Sequence, residues 1–135
     1  MKRTVLDASA VMSFYEERPG ADEVEVLIRE AVEGKRNLSM SVVNWGEIFY
    51  SVWRAQSREA AEKIIREIAQ LPIQVVDADH ELTRSAAEFR ARHKLPYADC
   101  FAVSLAKQRK ADLATADKDF AVIENELTIS WIPAA

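Results

Sequence analysis

The sequence predicts an α/β fold: a parallel sheet covered by helices on both faces. Three observations predict it. Short, mostly apolar runs alternate along the chain with longer segments of helical periodicity, which is the order of a parallel sheet with crossover helices. The 135 residues suit one domain with a real core. A composition 49% hydrophobic and 30% charged is that of an ordinary globular protein, and three glycines and four prolines leave little room for long loops.

The elements follow in order. Thr4-Val5-Leu6 reads as the first strand. Ser9 to Arg18 has helical spacing and stops at Pro19-Gly20. Ala21 to Glu33 repeats apolar residues at Val24, Leu27, Ile28 and Val32, an amphipathic helix ended by Gly34. Leu38 to Val43 reads as the second strand. Asn44 to Gln56 is helical, with the apolar stripe Trp45, Ile48, Phe49, Val52 and Trp53. A helix capped by Ser57 runs to Gln70, and Pro72 to Val76 is the third strand. Helices over Asp79 to Lys94 and Tyr97 to Lys110 are separated by Leu95-Pro96. Asp112 to Thr115 is a short strand, a turn with Asp117 and Asp119 follows, and Leu127 to Ile132 closes the chain as a strand. Residues 1–135 are read as a single domain.

Several function classes fall away. The net charge of -4 lacks a basic nucleic-acid footprint over the whole chain, although a carboxylate metal site adds negative charge that bound cations offset. The single cysteine, Cys100, allows neither an internal disulfide nor a Cys-based zinc site, and reads as a small buried apolar residue. Lys2-Arg3 begins like a signal peptide, but Asp7 interrupts the apolar run before an h-region forms. No stretch approaches the ~20 apolar residues of a membrane span. The expected location is cytoplasmic. No Gly-x-Ser-x-Gly elbow supports a serine hydrolase, and no Gly-x-x-x-x-Gly-Lys loop supports a nucleoside-triphosphate enzyme. His80 and His93 share no metal spacing and fall on charged helices, so both are read as surface residues.

In an open parallel sheet the ligand crevice lies outside the carboxyl ends of the strands. Asp7 directly follows the first strand, Glu47 lies one turn into the helix after the second, and Asp117 lies just past the fourth. Asp99 opens the helix after Pro96, where spacing alone does not place it. Singly, each has an ordinary explanation. Asp7 suits a helix N-cap, and Glu47 suits a capping-box partner of Asn44. Asp99 suits the positive end of its helix dipole, and Asp117 suits a turn. Together, carboxylates converging on one crevice repel each other unless a cation joins them. Hard oxygen ligands without His or Cys nearby select Mg²⁺ or Mn²⁺ over zinc. Such an ion polarises a phosphoryl oxygen and acidifies bound water, the chemistry of phosphodiester hydrolysis.

Four local sequences carry a family resemblance. Thr4-Val5-Leu6-Asp7-Ala8-Ser9-Ala10 resembles the opening of a PIN domain, and Ser41-Val42-Val43-Asn44-Trp45-Gly46-Glu47 its glutamate segment. Tyr97-Ala98-Asp99-Cys100-Phe101-Ala102-Val103 resembles the third segment, and Leu113-Ala114-Thr115-Ala116-Asp117-Lys118-Asp119-Phe120 the fourth. The resemblance implies a three-layer α/β/α sandwich with a central parallel sheet. It implies that Asp7, Glu47, Asp99 and Asp117 form an acidic site for Mg²⁺ or Mn²⁺, with Asp7 and Asp99 tied most directly to the ion. Ser9 and Thr115 match supporting hydroxyls; Asp119 matches an acid outside the ligand set. A stand-alone domain of this length resembles the VapC toxins. That implies a metal-dependent endoribonuclease cutting structured RNA (transfer RNA or a ribosomal RNA loop), a homodimer, and inhibition by an antitoxin.

The remaining features have two readings each. Arg84, Arg90, Arg92, His93 and Lys94 form either a positive rim for RNA or a solvated helix face mixed with Glu81 and Glu88. Trp45, Phe49 and Trp53 read as core or interface rather than a base-stacking platform. The rival to a nuclease is a PIN-like module that binds RNA or protein without cutting; the intact acidic set disfavours it. A haloacid-dehalogenase phosphatase needs an aspartate where Ser9 stands, and a phosphate-receiver domain needs an acidic pair where Asp7 stands alone.

Overall fold

The computed structural model describes residues 1–134. Five strands form one sheet: β1 (Lys2–Leu6), β2 (Arg36–Ser41), β3 (Ile73–Val76), β4 (Asp112–Thr115) and β5 (Ile129–Trp131). Their order is β3-β2-β1-β4-β5 and every neighbouring pair is parallel. Six helices connect them: α1 (Ala8–Tyr15), α2 (Ala21–Val32), α3 (Val42–Ala55), α4 (Arg58–Ile68), α5 (His80–Arg92) and α6 (Tyr97–Arg109). A 3₁₀ helix, Lys118–Ile123, follows β4.

Successive strand residues point to opposite faces of the sheet, and the two cores divide accordingly. Val5 and Leu113 pack with α5, α6 and the 3₁₀ residues Phe120 and Ile123. Leu6, Leu38, Met40 and Ala114 pack with α1, α2, α3 and α4 on the other face. The fold is therefore the three-layer α/β/α sandwich with a central parallel sheet. Cys100 is fully buried, as its reading required.

The chain runs outward from β1 through β2 to β3, then returns to add β4 and β5 on the other side of β1. The direction reverses between β1 and β4. A reversal of this kind opens a crevice at the carboxyl ends of the two strands, because the connections leave in opposite directions. Asp7 and Asp117 stand at its two lips.

Several element boundaries differ from the sequence expectation. Val42 and Val43 belong to α3, not β2, because Ser41 Oγ accepts from Val43 N at 3.1 Å and starts the helix there. The N-cap of α3 is thus Ser41 rather than Asn44, and Glu47 lies more than one turn inside. The last strand is confined to Ile129–Trp131. Gly34, expected to end α2, does so with φ of +77°.

Gly20 has a different reason to be glycine. A Cβ there would lie 1.9 Å from Ile132 Cγ2 and 2.9 Å from the Pro133 carbonyl oxygen. Gly20→Ala is expected to destabilise the fold by about 1–3 kcal/mol through overpacking. Urea unfolding checks this, and an unchanged midpoint would contradict it.

Candidate metal centre

Asp7 is 3% exposed and heavily bonded. It caps α1, accepting from Ala10 N through Oδ1 at 2.9 Å. Thr115 Oγ1 donates to its Oδ2 at 2.6 Å, and Ser9 Oγ lies 2.8 and 3.0 Å from its two oxygens. Ser9 Oγ in turn accepts from Ala116 N at 3.0 Å, and Thr115 Oγ1 accepts from Asp117 N at 3.0 Å. Two hydroxyls thus lock the loops after β1 and β4 to one carboxylate. Burial pushes Asp7 up to about 6; the donors from Thr115, Ala10 and Ser9 oppose this, and Asp117 adds to it.

Glu47 projects from α3. Asn44, one turn earlier and fully buried, donates through Nδ2 to Glu47 Oε1 at 2.8 Å and to the Ala98 carbonyl at 3.2 Å. One amide therefore joins Glu47 to the residue immediately before Asp99. Asn44 Oδ1 has no partner among the described residues. Burial raises the Glu47 pKa first, the Asn44 bond opposes it, and Asp117 raises it further.

Asp99 sits in the first turn of α6 and is 8% exposed. The helix is buried around nearly its whole circumference, from Asp99 to Ala106, because it packs between the sheet, α3 and α5. That central placement carries Asp99 to the crevice. Its pKa is pushed up to about 7, by burial first and then by Asp117, Glu47, Asp7 and Asp119. All five influences raise it.

Asp117 caps the 3₁₀ helix, its Oδ1 accepting from Asp119 N at 2.9 Å. Carboxylate oxygens of Asp99, Asp117 and Asp119 all lie within 4.8 Å of one another. The four residues expected from sequence therefore share one electrostatic neighbourhood, but the tightest group includes Asp119, which the sequence reading set aside as a ligand. The signal was present in the Asp-x-Asp spacing: Asp117 caps the turn by accepting from the backbone N–H of Asp119, which holds the two residues together. Asn44 as the link between Glu47 and α6 was also missed.

This donor set fits a hard divalent cation. It offers only carboxylates, is poor in compensating charge, and has no histidine or cysteine among its ligands. Asp7 already accepts on both oxygens, which leaves it little spare lone-pair capacity. Asp99, with no side-chain hydrogen bond among the described residues, is the freer carboxylate.

The other singled-out residues lie elsewhere. His80 is exposed as expected. His93 is not a plain surface residue: its Nε2 lies 2.7 Å from Glu126 Oε2 and its ring stacks on Phe89. Arg84 and Arg92 engage Glu88 and Glu126, so the basic stretch is partly spent on ion pairs. Trp45 and Phe49 stack at 6.1 Å against the α1–α4 core, while Trp53 stays 43% exposed beneath Arg58.

Comparison with solved structures gives the same architecture. The chain is similar to VapBC2 from Rickettsia felis bound to a DNA fragment from their promoter, at 17% identity over 96% of this chain and 98% of that chain, TM-score 0.75. It is similar to Mycobacterium tuberculosis VapC20, described as a sarcin-ricin loop cleaving toxin, at 15% identity over 88% and 93%, TM-score 0.69. FitAcB from Neisseria gonorrhoeae matches at 17% identity over 94% and 96%, TM-score 0.67. At these identities the likeness is one of fold. No curated protein matches the sequence. Among the described residues no helix is long and apolar enough to cross a membrane. The PIN domain model matches residues 4–126, and the chain belongs to the PIN domain family.

Proposed function

We propose that the chain is a divalent-cation-dependent endoribonuclease, the toxin of a type II toxin–antitoxin pair acting in the cytoplasm as a single PIN-like domain over residues 1–135. The observation that carries this reading is the convergence of Asp7, Glu47, Asp99, Asp117 and Asp119 on the crevice between β1 and β4. Asp99 and Asp117 would hold the cation, Mg²⁺ or Mn²⁺, with Asp7 beside them. When bound, the cation neutralises the carboxylates and polarises a phosphoryl oxygen of the scissile bond. Glu47, steadied by Asn44, orients the attacking water. Ser9 and Thr115 hold Asp7 in place.

The substrate class is structured RNA, a transfer RNA or a ribosomal RNA loop. Support comes from the similar fold of a toxin described as cleaving the sarcin-ricin loop. An antitoxin partner is supported by the similar folds of toxin–antitoxin complexes. Tyr50 and Trp53 on α3, 50% and 43% exposed, offer apolar surface for that partner or for a homodimer.

Purified chain, freed of antitoxin and incubated with total cellular RNA, is expected to yield discrete fragments with Mn²⁺ or Mg²⁺ and none with EDTA. Intact RNA under all three conditions would replace this reading with that of a non-cleaving binding module. Asn44→Ala is expected to weaken Mn²⁺ binding by about 10–100-fold, through loss of support for a ligand rather than loss of a ligand. Calorimetry reads this, and unchanged affinity would remove Asn44 from the site.

A further inference from the structure

A cationic concave surface lies at the opposite edge of the sheet from the acidic crevice. A groove of about 630 Å³ crosses the amino ends of the strands, lined by Lys2, Arg3, Arg36, Lys107 and Lys110. A second groove, about 460 Å³, continues from Arg3 to Arg109. Two acids share the first, and both are already engaged. Asp112 accepts from Thr4 and Ser130 at 2.8 and 2.6 Å. Glu126 lies 2.7 Å from His93, 3.7 Å from Arg92 and 3.8 Å from Lys107. Lys2, Arg3 and Lys110 take part in no ion pair among the described residues.

One of these cations is built into the fold. Arg36 opens β2 opposite Lys2, and its side chain is only 10% exposed. Its Nη1 donates to Thr4 Oγ1 at 2.6 Å and its Nη2 lies 3.3 Å from Glu30, while its Nε has no partner among the described residues. The guanidinium is fixed in position at the groove wall, with its charge shared with Glu30, so the unpaired charge of the groove comes from Lys2, Arg3 and Lys110.

We infer that this groove binds the phosphate backbone of RNA at a distance from the cleavage site. The inference rests on the reading of the chain as a protein that acts on RNA. The chain carries a net charge of -4 and its carboxylates cluster at the crevice, so until a cation offsets them they repel a polyanion, and cations elsewhere on the surface add the attraction that the crevice lacks. The amino edge supplies them. It lies about 15–20 Å from the carboxyl edge, the length of β1, a span that a folded RNA can cover. Among the described residues the groove has no aromatic lining, and its apolar part is limited to Leu27, Leu127, Ala106 and Ala111 between the cations.

The test uses fluorescence anisotropy with a fluorescein-labelled single-stranded RNA and a labelled RNA hairpin. Asp99→Asn in EDTA serves as the parent, so that cleavage does not interfere with the binding measurement. Adding Lys2→Glu, Arg3→Glu and Lys110→Glu is expected to weaken binding at least about tenfold and to lower the salt slope of log K by about 2. A control carrying Lys35→Glu, Lys63→Glu and Arg66→Glu makes the same change in net charge and is expected to stay within about twofold of the parent. Circular dichroism confirms that both variants fold. Equal binding by parent and groove variant would overturn the inference, as would an equal loss in the control. Failure of the nuclease reading is seen separately, as absent cleavage by the wild-type chain while groove-dependent binding persists.

Discussion

Asp99→Asn is expected to reduce cation-dependent RNA cleavage by at least about a hundredfold while making the cation-free protein more stable. The two effects have one cause. Asp99 is nearly buried beside Asp117, Glu47, Asp7 and Asp119, and every one of these acids opposes its ionisation. Asparagine keeps the shape and removes the charge. Without a cation at pH 8, that removal relieves repulsion and desolvation, on the order of 2 kcal/mol, or a melting temperature higher by roughly 5–10 °C. With a cation, the same change deletes the freest ligand, and transition-state charge loses its stabilisation. A merely structural aspartate would show neither the gain in stability nor the selective loss of cleavage. Thermal unfolding with EDTA, paired with gel-resolved cleavage in Mn²⁺, checks both halves. A variant that is less stable and still active would contradict the assignment.

Stability of the cation-free protein is expected to fall as pH rises from about 5 to 8, against the usual behaviour of paired carboxylates. Asp7 and Asp99 are held at about 6 and about 7, above the ordinary carboxylate value of 3.8. The folded state therefore binds their protons more tightly than the unfolded chain does. The stability this confers is fully present below the unfolded value and is lost as pH rises through 6 and 7. Mg²⁺ or Mn²⁺ at pH 8 replaces the protons. A concentration of 100 times Kd restores about 2.7 kcal/mol. The same cation added at pH 5 is expected to do far less, because protons occupy the ligands. Melting curves at pH 5, 6, 7 and 8, with and without cation, read the crossing. A cation effect independent of pH would place the ion somewhere other than these carboxylates.

The parts of this site that were legible in the sequence are those fixed by strand ends. Asp7 follows β1 directly and Asp117 lies two residues past the end of β4, so predicting the strands put both acids at the carboxyl edge. Asp99 was not placed by spacing. It reaches the crevice because α6 runs through the centre of the molecule, a tertiary fact with no local signature beyond an apolar helix. The family resemblance, not periodicity, assigned it. Asn44 looked like a helix cap because β-branched Val42 and Val43 resemble the end of a strand. Ser41 takes the cap instead, and Asn44 is freed to reach Glu47 and α6. Asp119 looked like a bystander because its role depends on the 3₁₀ turn that Asp117 caps. His93 looked exposed because its partner, Glu126, is distant in sequence.

The most direct test of the central claim is a calorimetric titration of Mn²⁺ into the wild-type chain and the Asp99→Asn variant at pH 7.5. Saturable binding by the wild type, weakened at least about tenfold in the variant, is the predicted result. Equal affinity in both, or no binding by a wild-type chain shown to be folded, would mean that these carboxylates do not hold the catalytic cation.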